Sequence, residues 1–128
     1  MQAPRIALAA AAVLAAEGAA LTVFALIELF GLGAGDAASL PTAIALIVLT
    51  LVGAAALFAF AAGVRRGLSW ARSGGVVFQV LAIAIALASL TVQPVVWLFV
   101  FAVGLPAVLG FVLLIGSARA EGGAGARD

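Results

Sequence analysis

The sequence predicts an all-α membrane protein, an antiparallel bundle of four transmembrane helices joined by short loops. Three observations carry that prediction. Of 128 residues, 67% are hydrophobic and only 9% are charged, whereas soluble domains are roughly 45–50% apolar and about 25% charged. The apolar residues fall in runs close to the ~20 residues that an α-helix needs to cross about 30 Å of hydrocarbon. The breaks between runs hold glycine, proline and the arginines. The length suits one small membrane domain and no second one.

The first predicted span covers residues 6–30, interrupted only by Glu17 and Glu28. Its apolar stretch runs well past the ~7–15 residues of a signal-peptide core. It is therefore read as a retained helix, against the alternative of a cleaved leader. "GLGAGDAASLP" (31–41) follows, with glycines, Asp36 and Ser39 suited to a loop. Pro41 stands where the second span, 42–64, begins, a position at which a missing N–H costs least. The basic stretch "RRGLSWAR" (65–72) leads into the third span, 68–91. "TVQP" (91–94) divides the long charge-free run between Arg72 and Arg119, and the fourth span covers 95–116. So short a connection makes helices three and four antiparallel neighbours. Residues 119–128, ending in "EGGAGARD", read as a disordered tail.

Arginine placement sets the threading. Arg5 precedes the first span, Arg65, Arg66 and Arg72 surround the second loop, and Arg119 and Arg127 follow the fourth. Asp36 is the only charge in loop one, and loop three has none. Basic residues favour the cytoplasmic side, so both termini and loop two are expected there. Trp70 and Trp97 then fall near opposite interfaces, as ring anchors do. Arg65, Arg66 and Arg72 are first topology determinants. They would also attract anionic headgroups at about 1 kcal/mol each.

Few residues are able to carry chemistry. The chain has no Cys and no His, which removes most of the vocabulary for zinc, haem and iron–sulfur centres. No metal or other cofactor is expected. A net charge of +1 is too small to imply a nucleic-acid partner. Glu17 stands near the middle of the first span, where a carboxylate costs several kcal/mol and normally faces protein or water. A proton on the carboxyl or a hydrogen-bonding partner would relieve that cost. The functional reading is a proton or cation site; the plainer one is an interhelical hydrogen bond that sets packing. Glu28 comes eleven residues later, within about 20° of the same helix face and roughly 16 Å along the axis. It reads as a solvated carboxylate near the outer boundary. The shared face marks the side of the helix that turns from lipid.

Gln79 is the expected partner of Glu17, at similar depth in the third span. It belongs to a stripe of small and polar residues at helical spacing, Gly75, Gln79, Ala82, Ala86, Ser89 and Gln93, which reads as a packing seam. Leu81, Ile83, Ile85 and Leu87 occupy the other face. The second span offers a similar seam in Ala55, Ala59 and Ala62 or Gly63, and Thr50 is able to bond its own backbone. In the fourth span, Gly104, Pro106 and Gly110 stand together, and Pro106 is expected to kink the helix.

The "EG" of Glu17 and Gly18, the acid at Glu28, "SWAR" (69–72) followed by Gln79, and the Gly/Pro-containing last helix at 104–106 resemble a group of small four-span integral membrane proteins of high-GC Gram-positive, actinobacterial genomes. The resemblance covers nearly the whole chain and implies a location and a topology, not an activity. A central Glu, four spans and this length also resemble the small multidrug resistance transporters. Those proteins carry Tyr- and Trp-containing motifs in their later helices, and this chain has no Tyr and an interfacial Trp70. The expected function is a non-enzymatic structural or accessory role in the lipid bilayer, with itself or a larger membrane complex as partner. The alternative is a small proton-coupled transporter or channel with Glu17 as the titrating group. No nucleophile–base pair, metal-ligand cluster or phosphate loop suggests an enzyme.

Overall fold

Four helices follow one another in the computed structural model, which describes residues 5–35 and 39–127, with side chains through Gly122. They are α1 (Arg5–Ala34), α2 (Leu40–Arg65), α3 (Ser69–Ser89) and α4 (Trp97–Arg127). Each is long and apolar enough to cross a membrane, and together they form the antiparallel four-helix transmembrane bundle that the composition predicts. Asp36, expected in loop one, lies outside the described residues.

The helix ends follow local chemistry. Gly35 ends α1 at φ +80°, and its N–H bonds the Leu32 carbonyl at 3.1 Å. At the end of α2, Gly67 takes φ +74°; its N–H bonds the Val64 carbonyl at 3.1 Å, and that of Leu68 bonds the Gly63 carbonyl at 2.9 Å. These two bonds make a Schellman cap, which needs a residue without a side chain at the left-handed position. Pro41 occupies the first turn of α2. The 21 residues of α3 measure about 31 Å, close to the hydrocarbon thickness.

Packing runs around a square. α1 lies against α2 and α4, and α3 lies against the same two helices, with the α1–α2 and α3–α4 hairpins making the largest contacts. Arg5, Arg65, Arg66, Arg72 and Arg119 all gather at one end of this square, called here the arginine end. The core sits toward it: Ala7, Ala10, Ala11 and Leu14 of α1 meet Leu57, Ala61 and Val64 of α2, Ala71 of α3 and Leu114 of α4. Backbones approach closely there. A Cβ on Gly63 would collide with that of Ala71, and one on Gly116 with Ile6. Lipid is as apolar as leucine, so such close approach through small residues is what holds membrane helices together.

Two expectations change. Of the seam expected on α2, Gly63 is buried but Ala55, Ala59 and Ala62 are exposed; Ala54, Leu57, Ala61 and Val64 are buried with Gly63 instead. α2 is apolar on every side, so no polar face advertises its rotation. The segment read as a disordered tail is also different: α4 continues helically past position 116 to Arg127. No proline follows to stop it, alanine favours the helix, and Glu121 is tied to α3 by an ion pair. α4 runs as one helix through Pro106.

Candidate functional site: an acid and an amide inside the bundle

Glu17 and Gln79 meet across the diagonal of the square. Gln79 Nε2 donates to Glu17 Oε2 at 2.6 Å, joining α1 to α3, which do not pack extensively on each other. Gln79 is 0% exposed, and Glu17 is half-buried. From Arg5 to Glu17 is twelve residues, or about 18 Å of helix, so the contact lies deep in the span.

Glycines on the surrounding helices make room for it. A Cβ on Gly110 of α4 would stand 2.7 Å from Gln79 Nε2 and 2.9 Å from its Cδ, so the amide rests directly on that glycine's backbone. Gly75, one turn before Gln79, leaves space for Leu114, whose Cδ1 would lie 3.0 Å from a Cβ there. Gly18, next to Glu17, holds α1 close to α2, with Phe58 and the Ala54 carbonyl 3.2 and 3.3 Å from the position of a Cβ. Gly18 also accepts the Thr22 hydroxyl at 2.8 Å.

The seam predicted for α3 lines this side of the helix. Gly75 and Ala86 are buried, Ala82 and Ser89 are half-buried, and Ala71 extends the stripe toward the arginine end at 0% exposure. Gln93 lies beyond the helix and is exposed. The Ser89 hydroxyl bonds the Ala86 carbonyl of its own helix at 2.6 Å, and Thr50 does likewise with Leu46 at 2.7 Å. Pro106 is half-buried, one residue before the buried Ala107.

Glu28 does not join the site. It is exposed, as is every residue from 26 to 30. Five successive residues cover more than a full turn, so no face of α1 is covered at that level. The face shared by the two acids turns inward at Glu17 only, because the bundle's close packing does not extend so far along α1.

The arginines also divide. Arg65 and Arg66 are exposed, as a headgroup-facing pair would be. Arg72 turns inward, and its Nη2 pairs with Glu121 Oε2 of α4 at 2.7 Å, with side chains 14% and 31% exposed. Glu121 had no assigned role in the sequence, because it fell in a segment read as a tail. Trp70 is exposed and packs edge-on against Phe60 with ring centroids 6.2 Å apart. Trp97, also exposed, stacks on Phe101.

Chemically, the site offers a hydrogen-bonded acid and amide with no basic side chain beside it. Among the described residues the one ion pair is Arg72–Glu121, and no group of three acidic, imidazole or thiol side chains comes together. Comparison with known proteins adds nothing to this geometry: no protein family, curated protein or solved structure matches the chain.

Proposed function

We propose that the chain is a small, non-enzymatic integral membrane protein with a structural or accessory role, acting with copies of itself or within a larger membrane complex. We place it in a bacterial inner membrane of the actinobacterial type, with both termini and the α2–α3 turn in the cytoplasm. The observation that carries the role is that a fully buried polar side chain, Gln79, ties α1 to α3 and sits on the α4 backbone. Such a bond specifies one packing of four apolar helices. The gathering of Arg5, Arg65, Arg66, Arg72 and Arg119 at one end supports the threading through the bias of basic residues toward the cytoplasm.

The competing reading is proton-coupled transport through Glu17. The half-buried state of Glu17 favours it, since the carboxyl is not sealed off. Flux measurements on reconstituted protein separate the two. An accessory protein shows no uptake driven by a pH gradient, and Glu17→Gln changes nothing. Uptake that disappears in Glu17→Gln would overturn the accessory role. The threading is tested by cysteine labelling of Arg66→Cys in a chain with no Cys of its own: label reaching it from outside intact cells would reverse the orientation.

A further inference from the structure

The Glu17–Gln79 contact leaves one atom unanswered. Gln79 Oε1 is buried and has no hydrogen-bond partner, yet it shares its carbon with the Nε2 that reaches Glu17. A buried acceptor without a donor costs about 1–3 kcal/mol. Lipid supplies no donor in its place.

The donors of the spans are used elsewhere or stand away from the amide: Arg72 Nη1, also buried without a partner, belongs to the guanidinium that pairs with Glu121, seven residues or about 10 Å of helix from Gln79. The hydroxyls of Thr22, Thr50, Ser89, Thr91 and Ser117 each bond a carbonyl of their own segment. Backbone N–H groups within the helices serve the helical ladders. Ser69, Ser73 and the two tryptophans are exposed. The charged groups on all four elements lie away from the site: Arg5 and the exposed Glu28 on α1, Arg65 on α2, Arg72 on α3, and Arg119 and Glu121 on α4. One group already in contact with the amide is able to bring a hydrogen, and that is Glu17.

We propose that Glu17 is held as a neutral carboxylic acid and that its O–H donates to Gln79 Oε1 while its other oxygen accepts from Gln79 Nε2. The two side chains then form a cyclic acid–amide pair, and the ligand of this site is a proton. Both atoms of the amide are satisfied within the pair, and no charge stands at mid-span. The inference rests on the contact and not on the accessory role, so the two fail separately: flux would overturn the role, and an ionised Glu17 would overturn the proton.

Infrared spectroscopy of the protein in lipid vesicles at neutral pH, in deuterated buffer, tests it. A protonated carboxyl has a carbonyl stretch well separated from the bands of a carboxylate. The expected result is a protonated-carboxyl band that is lost in Glu17→Gln and retained in Glu28→Gln and Glu121→Gln. Gln79→Met should shift that band to higher frequency, since its hydrogen bonds are gone. If Glu17→Gln does not assemble, wild-type protein with carbon-13 glutamate, read against labelled Glu28→Gln and Glu121→Gln, assigns the band instead. Loss of carboxylate bands in Glu17→Gln, or a labelled wild type with every glutamate ionised, would overturn the proposal and leave water as the donor to Gln79 Oε1.

Discussion

The two halves of this bundle are built differently. On the arginine side of the Glu17–Gln79 contact, α1 buries Ala7, Ala10, Ala11 and Leu14 in eight residues, and α4 buries Leu114 and Ser117 beyond the Gly110 that seats the amide. On the far side, beyond Gly18, Ala54 and Gly110 at the level of the contact, each helix buries one residue: Ala25 of α1, Ile47 of α2, Ala86 of α3 and Ala107 of α4. Hydrophobicity does not distinguish them, since Phe24, Ile27, Leu49 and Leu98 of the far half are as apolar as any core residue and more than half exposed. What differs is residue size at the seams. Where alanine and glycine recur at helical spacing the backbones close up; where leucine and phenylalanine crowd every face, the side chains are left to lipid. Close packing, and not greasiness, is what makes a core in this solvent.

That contrast is easiest to break with paired substitutions. Leu14→Ala, at 0% exposure, should open a cavity and cost about 2–5 kcal/mol, while Leu98→Ala, at 80% exposure, should stay within about 0.5 kcal/mol of wild type. Unfolding by denaturing detergent reads both, and equal losses would mean that the far half is packed after all. Glycine gives the next largest difference. Gly63→Ala would drive a methyl into Ala71 and should destabilise by about 1–3 kcal/mol, whereas Gly33→Ala meets nothing within 4 Å and should stabilise α1 by up to about 1 kcal/mol.

Gln79→Leu removes the bond between α1 and α3, and should cost about 0.6–2 kcal/mol, the usual size of an interhelical hydrogen bond in a bilayer. Thr50→Val removes a hydroxyl that only bonds its own helix and should be close to silent. The smallest effect belongs to the arginine end. Glu121→Gln breaks the pair with Arg72 and should cost about 0–1 kcal/mol, shrinking as salt rises. A larger, salt-independent loss would show that the extension of α4 holds the bundle together rather than resting on it.

The contact between Glu17 and Gln79 was legible in the sequence for a physical reason. α3 carries a single polar and small stripe, so the face of Gln79 could be assigned, and counting from the arginines placed it near the depth of Glu17. Nothing comparable marks α2, where alanines stand on the exposed side as well as the buried one. Glu121 was illegible for another reason. Its partner Arg72 is 49 positions away in the chain, and a glycine-rich end gives no local sign that the helix continues through it. Gly110 stood out in the sequence as a small residue beside Pro106, but only the packing of α4 against α3 shows that it seats the amide.

By itself, then, the sequence determined the solvent, the four crossings, the proline that opens α2 and the end at which the arginines gather. Each of these follows from composition or from chemistry within a few residues. The tertiary structure decided the rotation of α2, the unequal closure of the two halves, the pairing of Arg72 with Glu121, and the single unmet oxygen on Gln79. In water an apolar face must turn inward, and its pattern can be read from the chain. In lipid that force is absent, so the rotation of an all-apolar helix is settled only by which small and polar side chains meet when four helices come together.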